Sequence, residues 1–191
     1  MVGERSKRPT PNTERPKAEV VSALTSNIKP QPSNFSADVA SIDAIIAAAY
    51  DVISGPAGQE RDWDRERSLF LTGARLIPTS MAPGVTERDA NAPLQVLDVE
   101  AYRERVQPFF EKNGFYEKEI ARSTEQFGDV AQVWSTYESR HSPDDPEPFM
   151  RGINSIQLFN DGSRWWIVTI FWQHETAESP IPARYLESVK S

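Results

Sequence analysis

The chain has no cysteine, which excludes disulfides, thiolate nucleophiles and thiolate metal sites. It has only two histidines, His141 and His174, and they lack metal-ligand spacing, so no metal and no cofactor is expected. No apolar run approaches the roughly 18 residues of a membrane-crossing helix. Positive charge is also short: the net charge is −7, which argues against nucleic acid as a partner. There is no glycine-rich phosphate loop and no Gly-x-Ser-x-Gly elbow. Asp144-Asp145-Pro146-Glu147 lacks the EF-hand pattern and reads as a solvated acidic turn. What is present is a 191-residue chain, 38% hydrophobic and 10% aromatic, enough for one domain and a tail.

The tail is N-terminal. Arg5, Lys7, Arg8, Arg15, Lys17 and Lys29 outnumber Glu4, Glu14 and Glu19, and Pro9, Pro11, Pro16, Pro30 and Pro32 interrupt the segment. It offers too little apolar surface to offset an ordering entropy of about 1–2 kcal/mol per residue. Residues 1–35 are therefore read as a disordered basic tail. They lack the apolar core of a secretory signal, so a cytoplasmic protein is expected. Residues 36–175 form the domain, and 176–191, with Pro180 and Pro182, a loosely docked end.

Within the domain the spacing changes from helical to strand-like. Ser36 reads as an N-cap, and Val39, Ile42, Ile45, Ile46, Ala49, Tyr50 and Ile53 form one helical stripe ended by Gly55-Pro56. A second helix is expected over 60–71, with Trp63 and Phe70 on one face and mostly charged residues between them. A short strand over 74–78 and a loop over 80–93 follow. The third helix starts at Asp98, carries Val99, Tyr102, Val106, Phe109 and Phe110, and closes at Asn113-Gly114. Pro108 inside it predicts a kink or break. Strands are expected over 115–127 and 130–140, then a hairpin around Asn160-Asp161-Gly162-Ser163. This order gives an α+β fold with three helices packed on the concave face of a curved antiparallel sheet.

With Asp161-Gly162 at the hairpin tip, Leu158 faces Trp165, Ile156 faces Ile167, Asn154 faces Thr169 and Gly152 faces Phe171. The other face carries Gln157 with Trp166, Ser155 with Val168, Ile153 with Ile170 and Arg151 with Trp172. Both faces are apolar, unlike a sheet with one side in water. One face is expected to meet the helices. The other is expected to meet a second copy of the protein through Arg151, Ile153, Trp166, Ile170 and Trp172, or else to be covered by the C-terminal segment.

Several stretches resemble the nuclear-transport-factor-2-like superfamily, in particular its bacterial SnoaL-like members. They are the tyrosine-bearing first helix, Asp62-Trp63, Gly114-Phe115-Tyr116-Glu117, Val133-Trp134-Ser135-Thr136-Tyr137-Glu138, and the run from Arg151 through Asn154-Ser155-Ile156-Gln157-Leu158 to Trp165-Trp166-Ile167-Val168-Thr169-Ile170. The resemblance spans about residues 36–175. It implies a cone with a pocket between the helices and the concave sheet face, and frequent dimers through the sheet. Its members include isomerases, dehydratases, epoxide hydrolases, polyketide cyclases and binding or accessory proteins.

On this footing Tyr50, Trp134, Asn154, Thr169 and Phe171 are the expected ligand-binding residues. The hairpin face expected to line the cone offers Asn154 and Thr169 but no acid and no histidine. His174 shares the face of Trp166 and Trp172 and is expected to point to the dimer surface. The favoured reading is a dimeric protein that binds an apolar small molecule, or an accessory protein, with the question of catalysis left open by the residues. The alternative is an isomerase, dehydratase or cyclase acting on an apolar ring-containing substrate, with Tyr50 as donor and Asp62 or Glu119 as base. A third is a structural module with a filled cone. Asp62 also reads as a helix cap. The facing of Glu119, Glu138, Gln132 and Thr136 stays open at the level of sequence.

Overall fold

A computed structural model of the chain describes residues 35–79 and 94–187. The basic tail up to residue 34, the loop 80–93 and residues 188–191 lie outside the described residues. A short 3₁₀ turn, Ser36–Val39, leads into α1 (Ile42–Ile53). The N-cap of α1 is Ser41, whose side chain accepts from the Ala44 amide at 3.1 Å. Ser36, the expected cap, opens the 3₁₀ turn instead and makes no capping bond. Ile45, Ile46, Tyr50 and Ile53 are buried along the expected stripe.

Helix α2 (Trp63–Leu69) is shorter than expected, and Asp62 caps it through the Arg65 amide at 2.9 Å. The chain passes directly into β1 (Phe70–Pro78). Helix α3 (Val99–Lys112) begins at the Asp98 cap and runs through Pro108 as one element. The expected break is absent. Glu104 and Pro108 both lie on the exposed side of α3, where water can serve the carbonyl that lacks its helical donor.

Strands β2 (Tyr116–Phe127), β3 (Val130–Arg140), β4 (Met150–Asn160) and β5 (Trp165–His174) form an antiparallel meander. β1 adds a parallel edge beside β5, giving the order β1-β5-β4-β3-β2. The helices cover the inner face of this open sheet, and the core between them includes Ile45, Ile46, Leu69, Val133, Tyr137, Ile156, Leu158 and Ile167. Each such aliphatic side chain contributes about 1.5–3 kcal/mol by leaving water.

The hairpin register differs from the expected one. Leu158 pairs with Ile167 and Asn160 with Trp165, and after a bulge at Gln157/Leu158 the pairs are Ile156 with Ile170, Asn154 with Trp172 and Gly152 with His174. Two devices cause this. Asp161 accepts from the Ser163 amide at 2.8 Å and the Arg164 amide at 3.0 Å, so the turn is longer than two residues. The bulge then inserts one residue into β5 and reverses the facing of everything after it. Ile170, Trp172 and His174 turn to the inner face, while Thr169 and Phe171 turn outwards.

Two arginines, Arg61 buried and Arg65 half-buried, tie the helices together. Arg61 donates to the carbonyls of Ile53, Gly55, Pro56 and Gln59 and stacks on Phe110. Arg65 bridges Asp38 and Asp51, joining the 3₁₀ turn, α1 and α2. No helix among the described residues is long and apolar enough to cross a membrane.

Candidate functional site

A cavity of about 130 Å³ lies between the three helices and the inner face of the sheet. Its apolar walls include Val106, Phe110, Phe115, Ile156, Ile170 and Trp172. It is smaller than the roughly 300–1,000 Å³ of drug-sized sites. It approaches the roughly 150 Å³ of an apolar hole that holds a single benzene ring.

The same wall carries Glu66, Glu117 and His174. This corrects the expectation of a cavity without acid or histidine. Glu66 reaches it from α2. The residue is 2% exposed, and its Oε2 atom is buried without a hydrogen-bond partner among the described residues. Burial, and then the neighbouring charge of Glu100, push its carboxyl up to about 8. Glu117 comes from β2. Burial pushes it up to about 7, against a hydrogen bond at 2.8 Å from the Ser139 hydroxyl. His174 follows Trp172 onto the inner face after the bulge. Burial, helped by the Arg105 charge, lowers its ring to about 4, so it is neutral at pH 7.

Three tyrosines complete the polar lining. Tyr50 is buried on α1, accepts from Asn154 Nδ2 at 3.0 Å and shares a 2.7 Å hydrogen bond with Ser135 Oγ. Ser135 donates onward to Glu119, whose carboxylate receives Arg122 at 2.6 Å. Burial raises the Tyr50 hydroxyl above the ordinary phenol range. Tyr102, on α3, packs edge-on against Trp172 at 6.1 Å, and its hydroxyl has no hydrogen-bond partner among the described residues. Burial raises that phenol, as do the charges of Glu66 and Glu117. Tyr137 lies edge-on to His174 at 6.5 Å.

Of the expected ligand-binding residues, Tyr50 and Asn154 line the cavity together. Trp134, Thr169 and Phe171 are on the outer face. Trp134 packs on Tyr185 of the C-terminal segment at 5.6 Å, and Phe171 is 42% exposed. Of the expected interface residues, Ile170 and Trp172 line the cavity instead. Trp166 is on the outer face but already buried, with Arg164 stacked on its ring at 3.6 Å and its indole N–H donating to Asp161 at 2.8 Å. Arg151 and Ile153 are outward, with Arg151 paired to Glu175 at 2.8 Å. Glu138 is bound to Lys118 and Arg140 away from the cavity. Gln132 and Thr136 also face outwards, donating to Ser155 and to the Tyr185 carbonyl. His141 stacks on Phe149 at 4.1 Å, outside the cavity.

Sequence reasoning missed Glu66 because it sits among charged neighbours. Its spacing from Trp63 and Phe70, three and four residues, places it on their apolar face. Glu117 lies two residues after buried Phe115, a period-two signal that a strand boundary obscures. Among the described residues, no group of three or more His, Asp or Glu is disposed to hold a metal.

No family model matches the sequence, and no curated protein matches it. Solved structures do match in fold. A Nostoc punctiforme protein of unknown function with a cystatin-like fold aligns with a TM-score of 0.53 at 9% identity, over 71% of this chain and 90% of its own. A proposed ketosteroid isomerase from Parabacteroides distasonis gives 0.48 at 12%, over 71% and 89%. A nuclear-transport-factor-2-like protein of unknown function from Shewanella baltica gives 0.42 at 13%, over 71% and 92%. The chain has an α+β fold, three helices on an open five-stranded sheet, and it shares that fold with the Nostoc punctiforme protein.

Proposed function

We propose that the cavity binds a small, largely apolar molecule and moves a proton on it, as an isomerase, dehydratase or cyclase does. One observation carries this reading: Glu66 and Glu117, two carboxyls raised to about 8 and about 7, line a single apolar cavity. A carboxyl near neutrality exchanges a proton efficiently in either direction. Environments that separate two such groups assign their roles. Glu66 holds its proton at pH 7 and serves as the acid. Glu117, raised less and held by the Ser139 hydroxyl, serves as the base. The unpartnered Tyr102 hydroxyl is placed to donate to a ligand oxygen. The expected bases Asp62 and Glu119 are committed to the α2 cap and to Arg122.

The test is proton exchange on a simple ring ketone. In D₂O the full chain is expected to speed deuterium uptake next to the carbonyl of cyclohexanone or cyclohexenone, read by NMR. Glu117→Gln should abolish the effect while keeping the fold, as judged by circular dichroism. An unaltered rate with Glu117→Gln overturns the assignment. No acceleration by the wild-type chain, with ring binding intact, returns the protein to the binding or accessory class.

A homodimer through the outer sheet face belongs to the same proposal. Support comes from four exposed apolar side chains there, Phe127, Val130, Trp134 and Phe171.

A further inference from the structure

Arg105 lies on α3 between Tyr102 and Val106, and all three line the cavity. Every other arginine among the described residues has its guanidinium committed. Arg61 and Arg75 hold backbone carbonyls. Arg65, Arg67, Arg103, Arg122, Arg140 and Arg151 hold carboxylates. Arg164 holds the Ser68 carbonyl, and Arg184 the Tyr185 hydroxyl. Arg105 alone of these makes no hydrogen bond and no ion pair among the described residues.

A guanidinium is a permanent cation with five planar N–H donors. Nothing else on the cavity wall cancels that charge in full. Burial raises both carboxyls, Glu66 to about 8 and Glu117 to about 7, raises the Tyr102 phenol and lowers His174 to about 4, each shift favouring the uncharged form. The cavity thus presents a fixed positive charge with free planar donors beside an apolar hollow of about 130 Å³. A charge so placed is complemented by an anion, and a planar carboxylate fits the guanidinium fork with two parallel bonds. The volume limits the remainder to a single ring or a short branched chain.

We propose that the cavity's ligand is a small organic carboxylate whose anionic end pairs with Arg105 and whose ring or branched body lies against Ile170 and Trp172. This deepens the proton-transfer reading and rests on the same cavity being a ligand site. It adds a substrate class that neither glutamate defines.

Benzoate is the probe, with benzamide and benzyl alcohol as uncharged counterparts of the same size, titrated at pH 7 by calorimetry into the full chain. Benzoate is expected to bind on the order of tenfold to a hundredfold more tightly than either neutral ring, the range of a charge-assisted hydrogen bond. Arg105→Gln should remove that preference by weakening benzoate to the level of benzamide, and Arg105→Lys should restore part of it. Equal binding of benzoate and benzamide by the wild-type chain overturns the carboxylate assignment and leaves the site itself standing. So does a benzoate preference that survives Arg105→Gln. Failure of all three rings to bind overturns both the carboxylate and the ligand-site reading.

Discussion

Glu66 and Glu117 line one cavity from different elements, Glu66 from α2 and Glu117 from β2, with the Tyr102 phenol sensing the charge of both. Neither carboxyl has an ion-pair partner among the described residues. A buried acid without a counter-charge holds its proton to higher pH than a solvated one, and this has a consequence that needs no ligand.

The unfolded chain ionises Glu66 near 4.5, and the folded protein near 8. Between those values the native state holds a proton that the unfolded chain has released. The contribution to stability is therefore full below 4.5 and falls as pH rises through this window, by about 1.4 kcal/mol for each pH unit. Glu117 adds a smaller loss of the same sign between 4.5 and about 7. Glu66→Gln cannot ionise. It is expected to melt close to wild type at about pH 5 and several degrees higher at about pH 9, by calorimetry at both values. A difference in melting temperature that is the same at both pH values would show that Glu66 ionises normally in the fold.

The architecture was legible because it rests on local signals. The α1 stripe, the Asp62 and Asp98 caps and the Asn160–Ser163 turn each state their element within a few residues. The facing of β5 was not. Trp166, Ile167, Val168, Ile170, Phe171 and Trp172 are large and apolar on both sides, so alternation carries no record of which face is inner. A bulge adds one residue without any change of composition. That single residue moved Ile170, Trp172 and His174 into the cavity and Thr169 and Phe171 out of it. Tyr50 and Asn154 were found because both precede that ambiguity: one is on a helix with a clear stripe, the other on β4, where buried Gly152, Asn154, Ile156 and Leu158 alternate with more exposed neighbours.

Gly152 shows how closely the inner face is packed. A Cβ there would sit 2.5 Å from the Tyr137 hydroxyl and 2.4 Å from the Gln173 carbonyl oxygen. One neighbour is a buried ring and the other is backbone of the adjacent strand, so neither yields cheaply. Gly152→Ala is expected to cost about 1–3 kcal/mol, read as a lower denaturation midpoint with an unchanged slope. Adding Tyr137→Phe should not rescue it, because the ring carbon and the carbonyl remain. Rescue by that pair would place the conflict in the hydroxyl alone.

Asp161 fixes the hairpin end that sets the β5 register. Burial would raise its carboxyl, but hydrogen bonds from Trp166, Ser163 and Arg164 outweigh it and hold the group down at about 2. Asp161→Ala removes the acceptor of the Ser163 and Arg164 amides and leaves the buried Trp166 indole N–H unpaired. The expected loss is about 1–3 kcal/mol. Asp161→Asn, which keeps one oxygen acceptor, should lose less. The two variants melting together would mean that the turn holds its shape without the side chain.

The outer sheet face is where a second copy is expected. Phe127 is 87% exposed, Val130 56% and Phe171 42%. Trp166 is withdrawn from this surface by Arg164 and Asp161, and the C-terminal segment shields part of it at Trp134. The dimer contact is therefore expected around Phe127, Val130 and Phe171, apart from the Trp166 centre first expected. Sedimentation of the full chain at roughly micromolar concentration should give a dimer, since a stable interface of standard size brings such association within reach. Val130→Asp with Phe171→Asp should give a monomer of unchanged melting temperature, because neither side chain belongs to the core. A wild-type chain that sediments as a monomer at that concentration would reject the dimer and leave these side chains to solvent.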